Sequence, residues 1–191
     1  SHPEEEIDMT SRKPVSSRLA VLGAGQLGQA LIRGLTESGV FAARDITVTA
    51  AHAEHLEGLE KKLGVRGARS NREAIRNADV VLLCVKPQQA APVMKEIGST
   101  LTEGQLLISA ASSVGTAFLE SHASRAVPVV RAMPNTPVLG RCGMTGIARG
   151  RHASLAHLER ARAIFGAVGR TVVVDERHID AVTGLSASGP A

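Results

Sequence analysis

Apolar positions in this chain follow two alternating rhythms. Short unbroken apolar runs recur, and between them lie longer stretches in which apolar residues return every three or four positions. Leu19–Leu22 is the first such run and predicts a strand. Residues 26–38 follow with Leu27, Ala30, Leu31, Gly34 and Leu35 on one helical face, and Gly39 stops the helix. Ile46–Thr49 reads as the next strand. Ala53–Leu63 reads as a helix with Leu56, Leu59 and Leu63 turned inward and Gly64 as its C-terminal stop. Ser70, Asn71, Arg72 and Glu73 have the spacing of a capping box, which opens a short helix to Asn77. Residues 80–85 are continuously apolar, as a strand covered on both faces must be.

The alternation continues with a helix at 89–97, a strand at Leu106–Ser109, a short helix at 114–120 and a strand at 128–132. A further strand at 145–148, a helix at 154–168 ended by Gly169, a strand at 171–174 and a new helical pattern at 178–185 complete it. No fixed-period repeat or low-complexity tract interrupts the pattern. Strand–helix alternation of this kind predicts an α/β fold, a Rossmann-type doubly wound, mostly parallel sheet with helices on both faces. Its ligand site is expected at the carboxyl ends of the strands, where strand order reverses.

Composition narrows the function classes. The chain has 191 residues, 43% of them hydrophobic, with three Phe and no Trp or Tyr, so the core must be aliphatic. That argues against single-stranded nucleic-acid platforms, which need aromatic stacking. The net charge of +4 becomes +6 once the first seventeen residues, at −2, are set aside. A basic body suits an anionic small ligand, and the lack of a Lys/Arg cluster argues against duplex DNA. Cys84 lies in an apolar run and reads as a buried free thiol. With Cys142 it forms no metal spacing and no disulfide framework, which fits a reducing, cytoplasmic setting. No apolar stretch reaches membrane-spanning length. Residues 1–17 lack the apolar segment of a signal peptide and read as a flexible arm or an expression remnant. His52 or His55 could contact a phosphate of an anionic ligand, and equally both read as solvated helix-start residues; their i, i+3 spacing is weak for a metal, and no metal site is expected.

The sharpest chemical signal is Gly23-Ala24-Gly25-Gln26-Leu27-Gly28, placed right after a strand and opening a helix. The first glycine permits the tight turn. The second lets a pyrophosphate approach the backbone, and the third lets the helix pack closely on the sheet. Free amides and the helix dipole at that start favour the anion. A turn without a ligand is the plainer alternative. An NAD-binder places an acid about 20 residues on, at the ribose 2′-hydroxyl. Here the second strand runs out into Ala50, Ala51 and His52, and the first carboxylate is Glu54 in the next helix. The missing acid removes repulsion against a 2′-phosphate, yet no Arg follows the strand, so NADP(H) is favoured and NAD(H) stays open.

The chain resembles the pyrroline-5-carboxylate reductases from about Arg18 to Ala191. The residues that carry the resemblance are Gly23–Gly28, Val85-Lys86-Pro87-Gln88, the stretch Arg131-Ala132-Met133-Pro134-Asn135-Thr136-Pro137, and the ending from Asp180 to Ala191. The family reduces the cyclic imine 1-pyrroline-5-carboxylate to L-proline with NAD(P)H. The resemblance implies a nucleotide-binding domain over residues 18–175 and, from 176–191, the start of a helical domain through which the protein forms homodimers or larger homo-oligomers. Most of that domain, with the loop for the substrate carboxylate, would lie beyond Ala191, so this chain alone is expected to be poorly active. It further implies cofactor contacts from Gly23, Ala24, Gly25, Gln26, Leu27 and Gly28. Ala50 and His52 would face the 2′ position and Asn71 the adenosine. Cys84, Val85, Lys86 and Pro87 would line the next loop, with Ala110, Ala111 and Ser112 beside the nicotinamide. Pro134, Asn135 and Ser188 are the implied catalytic-pocket residues. Departures are Ala50 in place of a frequent small polar residue, Ser112-Ser113 in place of Ala-Gly, and Ala187 in place of Gly. On residues alone, Asn71 is also a helix starter, Lys86 a solvated loop residue, Asn135 a turn former and Ser188 a helix-start residue. Alternative functions are another imine or hydroxyacid reductase, or a non-catalytic NADP(H)-binding module.

Overall fold

A computed structural model describes residues 17–135 and 143–181. In chain order the elements are β1 (Leu19–Leu22), α1 (Gln26–Glu37), β2 (Ile46–Thr49), α2 (Ala53–Leu63), β3 (Arg66–Gly67), α3 (Asn71–Ile75), β4 (Val80–Leu83) and α4 (Pro87–Ile97). There follow β5 (Leu106–Ser109), α5 (Thr116–His122), β6 (Val129–Pro134), β7 (Gly143–Arg149), α6 (Leu155–Gly166) and β8 (Gly169–Val173). All eight strands join one sheet in the order β3-β2-β1-β4-β5-β6-β7-β8. The pairs from β3 to β6 are parallel, β6 and β7 are antiparallel, and β8 runs parallel to β7.

The sheet has two buried faces because successive side chains along a strand point to opposite sides. Leu19, Val21, Val48, Val80, Leu82, Ile108 and Val130 face one layer, packed by Leu31, Ile32 and Leu35 of α1, Leu59 of α2 and Phe165 of α6. Ala20, Leu22, Val81, Leu83, Leu107 and Val129 face the other, packed by Ile75 of α3, Met94 and Ile97 of α4 and Leu119 of α5. This two-sided cover is why the strands read as unbroken apolar runs and not as alternating ones.

The helix ends follow local chemistry. Gly64 ends α2 in the left-handed conformation at φ 70°. Ser70 caps α3, its Oγ accepting the Glu73 N–H at 3.1 Å. The return bond of the expected box lands one residue early, on the Arg69 N–H at 3.0 Å. Several boundaries differ from the sequence expectation. The strand expected over 80–85 stops at Leu83, because after Cys84 the chain turns into Lys86, the extended N-cap of α4, and Pro87 takes the first helical position. α3 ends at Ile75 and not Asn77, and α5 begins at Thr116 and not at 114. α6 ends at Gly166 and not at 168, and Gly169 opens β8 opposite Gly143, where a Cβ would strike the Gly143 backbone. The two-residue β3 is too short for a periodic signal. Of the helical pattern expected at 178–185, residues 179–181 are helical, directly after a 3-10 turn at Glu176–His178, and 182–185 lie outside the described residues.

Beyond β8 the chain is held by a buried cation. Arg131 of β6 is 5% exposed, and its guanidinium reaches Asp180 at 3.1 Å and Glu176 at 3.8 Å. Glu176 in turn accepts the Thr116 N–H at 2.7 Å and the Thr116 hydroxyl at 2.6 Å. This ties the 176–180 segment to β6 and to the start of α5.

Candidate functional site

β1 and β4 are neighbours, but α1 packs on one face of the sheet and α4 on the other. Strand order reverses between them, and the helices diverge to leave a crevice at the carboxyl edge.

Each glycine of the first turn has a distinct steric reason. Gly23 takes φ 85°, and a Cβ there would stand 2.8 Å from Val85 Cγ1 and 3.0 Å from the Cys84 carbonyl oxygen. A Cβ on Gly28 would lie 3.0 Å from the Gly23 carbonyl oxygen, so the helix lies close on its own turn. Gly25 differs, for a Cβ there would meet nothing within 4 Å. Its bareness serves no contact inside the protein. As N-cap of α1 it also brings no side chain to the helix amides, and the first turn holds no acid. Open space over uncapped amides at a positive helix end fits an approaching pyrophosphate.

The turn is clamped from several sides. The Ala24 N–H donates to the Thr49 carbonyl at 3.0 Å. The Ala24 carbonyl accepts from Gln29 Nε2 and from His55 Nε2, each at 3.2 Å. Behind it runs a hydrogen-bond relay. The Gly23 N–H donates to Thr49 Oγ1 at 3.3 Å, the Thr49 hydroxyl donates to Asn71 Oδ1 at 2.7 Å, and Asn71 Nδ2 donates to Glu96 Oε2 at 2.8 Å. The Arg72 N–H holds the second Glu96 oxygen at 3.3 Å. Four elements thereby fix one amide plane and one turn.

A cleft of about 400 Å³ opens beside this relay. Gly23 lines it from the first turn, Thr49, Ala50 and Ala51 from the end of β2, Arg69 and Ser70 from the β3–α3 loop, and Asn71 from the start of α3. Val85, Gln89, Pro92, Val93 and Glu96 close the α4 side. Of the residues singled out from sequence, Gly23, Ala50, Asn71 and Val85 stand in this cleft. Thr49, Arg69, Gln89 and Glu96 were missed. They come from β2, the β3–α3 loop and α4, which carries both Gln89 and Glu96, and these three regions become neighbours only when the sheet and its helices assemble.

The other candidates spread along the same carboxyl edge. Gln26 and Gly25 are exposed, while Leu27 packs partly against the core and Ala24 is buried in it. Exposed His52 is the extended N-cap of α2 and does not line the cleft. Lys86 and Pro87 are exposed at the start of α4. Cys84 packs against the core, and burial pushes its thiol up to about 12, so it stays protonated at neutral pH. Ala110 and Ala111, past β5, are buried, their N–H groups donated to the Leu83 carbonyl and to Ser109 Oγ, and Ser112 beside them is exposed. Ser113 carries φ 61°, a left-handed conformation uncommon without glycine. Pro134 ends β6. Buried Asn135 accepts the Met144 N–H on Oδ1 at 2.7 Å and donates its own N–H to the Met144 carbonyl at 3.1 Å, clasping β6 to β7. Ser188 lies outside the described residues. Among the described residues, no group of three His, Cys, Asp or Glu side chains could hold a metal ion, and no helix is long and apolar enough to cross a membrane.

The family model described as NADP oxidoreductase coenzyme F420-dependent matches residues 18–113. A pyrroline-5-carboxylate reductase of Corynebacterium melassecola is 38% identical over 176 residues, covering 91% of this chain and 65% of that protein. The solved pyrroline-5-carboxylate reductase of Coxiella burnetii superposes with a TM-score of 0.85 at 34% identity, covering 92% of this chain and 66% of that one. The Plasmodium falciparum pyrroline carboxylate reductase, solved with NADP bound, gives a TM-score of 0.79 at 25% identity, covering 91% of this chain and 63% of its own. The chain thus spans just under two thirds of the relatives it matches.

Proposed function

The chain belongs to the family described as NADP oxidoreductase coenzyme F420-dependent, and from that premise we propose that it is the cofactor-binding part of a pyrroline-5-carboxylate reductase that uses NADP(H). The observation that carries this is the crevice between β1 and β4, with bare Gly25 over uncapped helix amides, in a chain 38% identical to one such reductase. Gly23–Gly28 and the start of α1 hold the pyrophosphate, and Ala50, Asn71 and Val85 receive the adenosine. Bound there, the reduced nicotinamide supplies the hydride that converts the ring imine to the secondary amine of proline.

The ends of β5 and β6 form the wall where the reacting ring lies. Ala110, Ala111, Ser112, Pro134 and Asn135 bring no ionisable side chain to that wall. A protonated imine is already electrophilic, so position and exclusion of water are what the wall has to provide. Asn135, held by Met144, keeps that wall in shape. We assign the site for the substrate carboxylate to a helical domain that begins near residue 176, through which the complete protein assembles as a homo-oligomer in the cytoplasm. The supports for that part are the motif resemblance and the relatives' greater length.

The test uses one substitution that leaves the fold alone. Gly25→Val places its branches in open space at a φ of −81° that any residue adopts. NADPH fluorescence should titrate to saturation with the wild-type chain. Gly25→Val should bind at least about tenfold more weakly, since its side chain fills the pyrophosphate path, while the less favoured N-cap lowers the melting temperature by only about a few degrees. Equal affinity in the two, or no wild-type binding at millimolar NADPH, overturns the reading. Proline formation by the full-length protein, with 1-pyrroline-5-carboxylate and NADPH, tests the reaction.

A further inference from the structure

We propose that Arg69 selects the phosphorylated dinucleotide by taking its 2′-phosphate, a role that rests on the NADP(H) reading above. The end of β2 is where such folds read the adenosine ribose. Here that strand ends in Ala50 and Ala51, whose short side chains leave the space open and uncharged. The cation comes from the neighbouring strand. β3 pairs with β2, and the Ala68 N–H donates to the Val48 carbonyl at 2.9 Å. The next residue is therefore delivered beside the end of β2, where Arg69 lines the cleft together with Ala50 and Ala51.

The local bonding holds the main chain of Arg69 and leaves its guanidinium uncommitted. Its N–H is fixed on Glu73 Oε2 at 3.0 Å, and Ser70 beside it caps α3. The residue is exposed, and among the described residues its guanidinium has no ion-pair partner. Glu96 is the one carboxylate among the cleft-lining residues, and its oxygens are taken by Asn71 Nδ2 and the Arg72 N–H. His55 is engaged on the Ala24 carbonyl, and His52 lies off the cleft. Arg69 is thus the cation among the cleft-lining residues, beside a β2 end that carries no acid. A planar guanidinium matches a phosphate in a two-pronged geometry that neutral neighbours do not offer.

Calorimetric titration of the chain with NADPH, NADH, adenosine 2′,5′-bisphosphate and 5′-AMP tests the assignment. Arg69→Ala should weaken NADPH and the bisphosphate by roughly ten- to hundredfold, the range for charged hydrogen bonds. NADH and 5′-AMP should stay within about twofold, because they bring no second phosphate to that site. Arg69→Lys should fall between, keeping the charge and losing the fork. Unchanged NADPH affinity in Arg69→Ala, or equal losses for NADPH and NADH, overturns the role of Arg69 while leaving the cofactor reading intact. A wild-type chain that binds neither dinucleotide overturns both.

Discussion

At the scale of single residues, Cys84 shows how burial sets chemistry. Its thiol is raised from 9.0 to about 12 because the thiolate would lie unsolvated against the core. A group whose folded value is raised stabilises fully below its unfolded value and loses that contribution as pH climbs toward the folded one. Each unit above pH 9 should therefore remove about 1.4 kcal/mol from the folded chain until the folded thiol titrates. Urea unfolding at pH 7 and 10.5 should show a smaller decline for Cys84→Ala than for the wild type, and equal declines would contradict this. The bland reading of Cys84 was available from its apolar run. Arg69 was not, because its neighbours in the cleft are set by strand pairing and not by spacing along the chain. Ser113 stands at an intermediate level. Sequence placed it where relatives often have glycine, and the structure supplies the reason in its left-handed backbone.

At the scale of elements, the first strand–turn–helix unit was legible because each glycine answers a local steric demand. The relay behind it was not, since Gly23, Thr49, Asn71 and Glu96 sit on four different elements. Thr49 is its hinge, accepting from the turn and donating to the amide. Thr49→Val keeps the shape and leaves the Gly23 N–H and Asn71 Oδ1 without that partner. We expect a loss of about 1–3 kcal/mol by denaturant unfolding, the cost of unsatisfied groups, with weaker NADPH binding. Thr49→Ser should restore both, and wild-type behaviour in Thr49→Val would show that the relay is incidental. Strand ends were read less well than strand existence. The apolar run through Cys84 and Val85 looks like more strand, yet Pro87 claims the first position of α4 and pulls the chain away.

At the scale of the whole molecule, unbroken apolar strands alternating with amphipathic helices made the doubly wound sheet readable. The reversed direction of β7 was less so. Only eight residues separate Pro134 from Gly143, too few for a parallel crossover, which needs about a dozen or more. Strand order also ranks local stability. β1 and β4 are paired on both sides and buried on both faces, whereas β3 has two residues and β8 lies at the far edge. Native-state hydrogen exchange should find the slowest amides in Leu19–Leu22 and Val80–Leu83, and the fastest strand amides in β3 and β8. Comparable rates at centre and rim would contradict this ranking. The glycine turn hangs from the two slowest strands. Fraying or proteolytic nicking at the β8 rim therefore spares it, whereas unravelling at the β3 rim reaches it through the bond from Thr49 to Asn71.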